Sequence, residues 1–327
     1  SFNTSAQVSS AQIDSLVSLA MKKFNVAGVA VGVVQNGAII HSKGYGYADF
    51  DKKTVATEHT NFAIASNSKA FTATAMAILV EEGKLKWDDK VKSILPEFEM
   101  YNDYVTQNFT VEDLLCHRSG MGLGQGDLMW FPDGNNFKIE DMLTAYRHTV
   151  PESAIRTKME YNNILFFIAG EVIARTSGMT WEDFIATRIF EPAGMESSVT
   201  SISRIGNLPL AKPHSNTGGE LKVLADYEPQ VNGGAAGIYA NVNDLCNWMM
   251  LNLNHGSLGE KKAFTAKTQK EHLWKMQTVT APNGNPKYNA HFGGYGLGWF
   301  LGDMNGNLVV SHSGGMPGML SKTTLIA

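Results

Sequence analysis

The segment SNSKAFTATAMAILVEEG, residues 66–83, decides the reading of this chain. Alanine, methionine and leucine dominate from Ser66 to Glu82, side chains that lose little freedom in a helix, and Gly83 follows where a left-handed cap ends one. A helix over 66–82 sets Ser66 in its first turn, beside free backbone N–H groups and the positive end of the helix dipole. Lys69, three residues on, returns to the same face within reach of Ser66. A lysine so placed accepts a proton from the serine only if it is desolvated, because an exposed ammonium titrates near ~10.4. The plainer alternative makes Ser66 a helix cap and Lys69 a solvated first-turn residue. Chance supplies roughly one Ser-x-x-Lys in a chain of this length, so the position at a helix start weighs more than the string.

Upstream, Ala11 to Phe24 repeats apolar residues at helical spacing. Gly28 to Val34 and Ala38 to Ser42 then flank Gln35-Asn36-Gly37, and the Asn-Gly pair tolerates the positive φ of a tight hairpin. Downstream, helical patterns cover Val111 to His117, Ile139 to His148, Asn163 to Thr176 before Gly178, Trp181 to Ile189, and Asn243 to Leu253. After Pro286 short strand-like runs return: GYGLGWFLG, then NLVVSHSGG across a second Asn-Gly turn, then MLSKTTLIA. Strands at both ends with helices between them predict an α/β (α+β) fold: one antiparallel sheet built from the two chain ends and flanked by helices, with a mainly helical subdomain inserted. The expected division is 1–65 with 285–327 for the sheet and 66–284 for the helices, with the active site in the cleft between them.

Composition narrows the function classes. With 327 residues, 43% of them hydrophobic and 18% charged, the chain can bury a large core without disulfide or metal staples. Lys and Arg number 27 against 31 Asp and Glu, a net charge of -4, so no broad positive field points to nucleic acid or anionic lipid. No apolar run approaches the ~18 residues of a membrane span. Cys116 and Cys246 lie in apolar surroundings without metal-ligand spacing and read as buried free thiols, a single disulfide staying open. The opening SFNTSAQ lacks a signal-peptide pattern, which is either absent or already removed. His117, His148, His214, His255, His272 and His291 are scattered and read as solvated or core residues rather than metal ligands, so no metal and no cofactor is expected. The GxSxG elbow, the phosphate-binding P-loop, HExxH and a dinucleotide-binding GxGxxG are all missing from the sequence.

Two further constellations can carry chemistry. Tyr161-Asn162-Asn163 stands just before a helix: a phenol beside a lysine can exchange protons with a serine or a leaving group, and an Asn amide offers both a donor and an acceptor. Tyr239-Ala240-Asn241 has the same spelling, but Asn241 or Asn243 there fits a helix cap, so Tyr239 reads as structural. His312-Ser313-Gly314-Gly315 follows the branched run Leu308-Val309-Val310. Its glycines let a ligand backbone lie along the strand edge, and the N–H of Gly315 can pair with that of Ser66 as an oxyanion hole. His291-Phe292-Gly293 follows no strand, which favours His312.

Ser66-x-x-Lys69, Tyr161-x-Asn163 and His312-x-Gly314, in that order, resemble the three motifs of the serine β-lactamase and penicillin-binding protein superfamily. The likeness is nearest to its class C-like branch of DD-carboxypeptidases, D-aminopeptidases and esterases. EEGKLKWDDKVKSILPEF, LLCHRSGM at 114–121 and GGAAGIYANVNDL at 233–245 extend the likeness over nearly the whole chain. The resemblance implies Ser66 as the nucleophile of an acyl-enzyme, with Lys69 and Tyr161 sharing the proton transfers, the latter as phenol or phenolate. Asn163 would bond Lys69 and the substrate's acyl side chain, and Ser66 and Gly315 would supply the oxyanion donors. The substrate would be a D-amino acid peptide, a β-lactam or an ester, met in the periplasm or outside the cell.

Two departures qualify this. His312-Ser313-Gly314 stands where true β-lactamases carry Lys-Thr-Gly, so a permanent charge gives way to a group largely neutral at pH 7, which weakens attraction for a substrate carboxylate. Slow acylation by penicillins then becomes a better expectation than efficient β-lactam hydrolysis. The family's sheet also continues past the strand after HxG, whereas the sequence ends at Ala327; the remaining pieces are expected to be removed, disordered or supplied by another chain. His117 and Ser119 match a family segment read as structural. A carboxylesterase of the same fold and a non-catalytic relative that binds peptidoglycan or a partner are the rival readings.

Overall fold

A computed structural model describes residues 8–132, 136–227 and 231–327. The N-terminal helix α1 (Ser10–Phe24) is closed at its start by a capping box between Ser9 and Gln12 and at its end by Asn25 in the left-handed conformation. Then come β1 (Gly28–Gln35) and β2 (Ala38–Asp49), joined by Asn36 and Gly37 at φ 52° and 75°, as the Asn-Gly pair predicts. The central helix α2 (Ser68–Glu81) starts two residues later than the composition suggests, because Ala65–Asn67 form a 3-10 turn.

Helix α3 (Ile164–Ser177) ends at Gly178 with φ 73°, and α4 (Val242–Leu253) is capped by the Asn241 side chain, which accepts from the Asp244 N–H. Tyr239 is 7% exposed and sits in a two-residue strand paired with Phe62–Ala63, in keeping with its structural reading. The pattern over 181–189 breaks after Trp181–Ile185 into a π-helical turn, Ala186–Phe190, and the helix expected over 139–148 runs only through Ile139–Leu143.

The C-terminal region supplies β3 (Thr278–Thr280), β4 (Gly293–Tyr295), β5 (Phe300–Met304), β6 (Asn307–Met316) and β7 (Met319–Ile326), antiparallel neighbours in that order. The mixed α/β fold with antiparallel strands from both ends is therefore as expected, with one difference. The strands form a three-stranded sheet at the N-terminus and a five-stranded sheet at the C-terminus, and among the described residues no ladder joins them. Alternation and turn signals reveal strands and hairpins, but not which strands from distant parts of the chain become neighbours.

One apolar cluster unites the helices with the inner face of the larger sheet, from Phe71 and Met76 on α2 and Phe166 on α3 to Val310 on β6 and Leu325 on β7. Helix α2 is buried along almost its whole length, which explains why its composition lacks a polar face. Both cysteines are buried and free. Among the described residues no helix is long and apolar enough to cross a membrane.

Candidate active site

Ser66 lies in the 3-10 turn leading into α2, partly buried, after Ala65 at φ 47°, a left-handed conformation costly for a residue with a Cβ. The turn is held against the larger sheet. The Ser321 hydroxyl on β7 donates to the Ile64 carbonyl at 2.6 Å, and Asn67 donates to Ser321 Oγ at 2.7 Å. Opposite Ser321 on β6 stands Gly314, where a Cβ would come within 2.0 Å of the Ile64 carbonyl oxygen. This glycine is needed for the close approach of two backbones. Gly314→Ala is expected to lower stability by about 1–3 kcal/mol and to reduce turnover with it; an unchanged melting temperature would contradict the tight fit.

Lys69 is 0% exposed, and its Nζ lies 3.0 Å from Ser66 Oγ, 2.9 Å from Asn163 Oδ1 and 3.0 Å from the Ala235 carbonyl oxygen. The rings of Tyr161 and Phe166 stand 5.1 and 5.3 Å from the same nitrogen. Burial pulls the lysine down to about 7, against the opposing pull of the Asp127 carboxylate. As an ammonium it donates to all three oxygens. As a neutral amine it keeps two N–H bonds, and Asn163 Oδ1 and the Ala235 carbonyl, which cannot donate, claim both. The remaining lone pair then faces the Ser66 hydroxyl, the geometry of a base.

Tyr161 interacts with Ser66, and burial raises its phenol above the ordinary value against the opposing effect of that interaction. Tyr161 is thus favoured by burial as the neutral phenol. His117 fixes it. The His117 ring packs 4.1 Å from the Tyr161 ring, its carbonyl accepts from the Glu160 N–H, and its Nδ1 accepts from the Asn162 N–H. The backbone on both sides of Tyr161 is thus tied to one buried histidine. Ser119, also buried, accepts from the Met121 N–H.

Strand β6 passes the site on its other side. Pairing with β5 stops at Ser311, so from His312 to Met316 the edge away from β7 carries no strand partner among the described residues, and Ser313 and Gly315 are exposed along it. The His312 side chain turns inward and is 1% exposed. Its Nδ1 donates to the Ser313 carbonyl at 2.6 Å and its Nε2 accepts from the Tyr295 hydroxyl at 3.1 Å, so both nitrogens are occupied. Burial pulls it down to about 3, leaving a neutral ring. Both ring nitrogens of His312 are thus engaged within the protein, and the 313–315 backbone faces the open edge.

Two residues not singled out in the sequence complete the arrangement. Asn162 is fully buried, accepting from the Tyr146 hydroxyl at 2.7 Å and donating to the carbonyls of Gly122 and Gln125 at 3.2 Å each. It clamps the 122–127 loop. That loop brings Asp127 to Asn163, whose Nδ2 donates to the two carboxylate oxygens at 3.1 and 3.3 Å. A separate cavity of about 610 Å³, lined by Trp87, Glu112, Arg118 and Arg156 among others, contains none of these residues.

The protein family model described as Beta-lactamase matches residues 13–324. Among curated relatives, "Unguisins hydrolase ungD'" of Aspergillus campestris is 28% identical over 322 residues, 95% of this chain and 58% of the relative. "Protein flp" of Staphylococcus aureus is 27% identical over 308 residues, 93% of this chain and 58% of its own length. The chain thus spans 58% of the length of these relatives. Two solved structures share the fold. The octameric penicillin-binding protein homologue from Pyrococcus abyssi has a TM-score of 0.81 at 22% identity, covering 97% of this chain and 70% of that one. The penicillin binding protein from Bacillus halodurans has a TM-score of 0.74 at 21% identity, covering 95% and 90%. Matched along nearly its full length, the chain belongs to the Beta-lactamase family, and it shares the fold of these two penicillin-binding protein structures.

Proposed function

We propose that the protein is a serine hydrolase that cleaves amide or ester carbonyls through an acyl-enzyme on Ser66. The observation that carries this reading is the buried Lys69 amine, 3.0 Å from Ser66 Oγ with two fixed acceptors on its N–H bonds. Neutral Lys69 takes the Ser66 proton as Oγ attacks the carbonyl. The tetrahedral oxyanion forms between the N–H groups of Ser66 and Gly315, each donor worth about 3 kcal/mol in such sites. The Tyr161 phenol, beside Ser66, passes its proton to the leaving group and is refilled from the Lys69 ammonium; when water attacks the acyl-enzyme, Lys69 takes the water proton and Tyr161 returns one to Ser66 Oγ, again refilled from Lys69. The substrate lies in the cleft between helices and sheet, along the open edge of β6. Action on peptides of D-amino acids, in the periplasm or outside the cell, accords with the superfamily; the name of the Aspergillus relative as a hydrolase also favours turnover over binding alone.

The pH dependence tests the base. A lysine near 7 is charged below that value and cannot accept a proton, so kcat/KM is expected to fall about tenfold per pH unit below an apparent pKa near 7. Profiles with a short-chain p-nitrophenyl ester, a D-amino acid amide, a D-alanyl-D-alanine peptide and nitrocefin also rank the substrate classes. Activity that stays level from pH 5 to 9 would remove Lys69 from the proton transfer.

A further inference from the structure

We propose that Asp127 makes the acyl side of this site a receptor for a protonated amine, so that preferred substrates carry a primary ammonium close to the scissile carbonyl. The inference rests on the serine hydrolase reading above and deepens it. Asn163, next to Lys69, has both ends of its amide engaged: Oδ1 accepts from Lys69, and Nδ2 donates to Asp127. An acyl chain with an amide carbonyl at this point therefore meets a carboxylate instead of a donor. The carboxylate itself is under-neutralised. Asp127 Oδ1 accepts from the Trp130 indole at 3.0 Å and from Asn163, whereas among the described residues Oδ2 has only the 3.3 Å contact with Asn163. Among the described residues it joins no ion pair.

It is also rigid and partly shielded. Asn162 pins the backbone of its loop, Gly126 at φ 86° packs against Ile164, and Trp130 leans on the buried Phe167 ring at 5.5 Å. The electrostatic partner of Asp127 is Lys69, and once Lys69 is neutral the fixed, partly buried anion attracts another cation more strongly than one in open water and repels acceptors that approach it. The expectation that Asn163 bonds the substrate's acyl side chain changes accordingly: Asp127 occupies that donor, and recognition passes to the carboxylate.

Matched p-nitrophenyl esters test this: D-alanyl against isobutyryl, and β-alanyl against butyryl, which differ by ammonium for methyl at two distances from the carbonyl. The ratio of kcat/KM within each pair is compared in wild type and Asp127→Asn, a comparison that cancels the intrinsic reactivity of amino esters. The ratio is expected to fall at least tenfold in one pair, and the pair affected tells whether an α-amine or a more distant amine is read. An unchanged ratio, or an equal loss on both members, overturns the proposal, because a residue that only steadies Asn163 would slow both alike. If Asp127→Asn does not fold, wild-type inhibition decides: 2-aminoethylboronic acid should bind at least tenfold tighter than propylboronic acid, and equal or weaker binding overturns it. Absence of Ser66-dependent turnover on all four esters would instead refute the hydrolase reading and take this inference with it. Ser66-dependent turnover with unaltered ratios refutes this inference alone.

Discussion

Ser66→Ala is expected to abolish hydrolysis of every substrate class, with kcat/KM falling by about 10³-fold or more, while the melting temperature stays within a few degrees of wild type. The Ser66 hydroxyl lies 3.0 Å from the Lys69 amine, and the proposed mechanism gives the acyl chain no other acceptor. Alanine is tolerated in the turn, whose residue 65 is already alanine, and Lys69 keeps its partners Asn163 and Ala235. Steady-state kinetics beside thermal unfolding check both halves. Retained turnover would mean that the three groups meet for packing and not for chemistry.

Lys69→Met is expected to have a comparable effect on rate and an informative effect on stability. Methionine fills nearly the same volume, so the core keeps its packing, but Ser66 loses its base and kcat should fall by about 10³-fold or more. Two opposing terms act on the fold. Asn163 Oδ1 and the Ala235 carbonyl lose a donor, at about 1–3 kcal/mol each. Against this, wild type holds at about 7 a lysine whose unfolded value is near ~10.5, which at pH 7 costs on the order of 4 kcal/mol. The net change at pH 7 should thus be small.

The sign appears when pH is varied. Between about pH 7 and 10.5 the unfolded chain holds the Lys69 proton and the folded chain does not. Wild-type stability therefore gains up to about 1.4 kcal/mol per pH unit from this group as pH rises through that window. The variant lacks this gain, so wild type minus variant should climb with pH, as read by urea unfolding at pH 7, 8 and 9. A difference that stays level would mean that Lys69 is charged in the folded protein across that range and no base.

Much of this was legible in the sequence because its signals are local. The Asn-Gly turns at 36–37 and 305–306 and the Gly178 cap depend on residues a few positions apart, and the structure has each in the predicted place. The helix after Ser66 is legible from its Ala-rich run, although the α-helix itself begins at Ser68, after the 3-10 turn. What escaped notice depends on neighbours far along the chain. Asp127 sits in a glycine-rich stretch that reads as an ordinary turn, and its meaning comes from Asn163, 36 positions on. Ser321 resembles any strand serine until β7 lies beside Ile64. His312 was placed on the correct strand, but strand alternation alone does not tell that its ring would be enclosed by Tyr295 and the Ser313 carbonyl. The separation of the two sheets belongs with these, being a matter of which distant strands become neighbours.

The most direct trial of the central claim is covalent labelling. A fluorophosphonate incubated with the folded protein, followed by intact mass and peptide mapping, is predicted to add one phosphonyl group, on the peptide containing Ser66, and none to Ser66→Ala. A protein that hydrolyses esters yet takes no label, or is labelled on a different residue, would contradict the account.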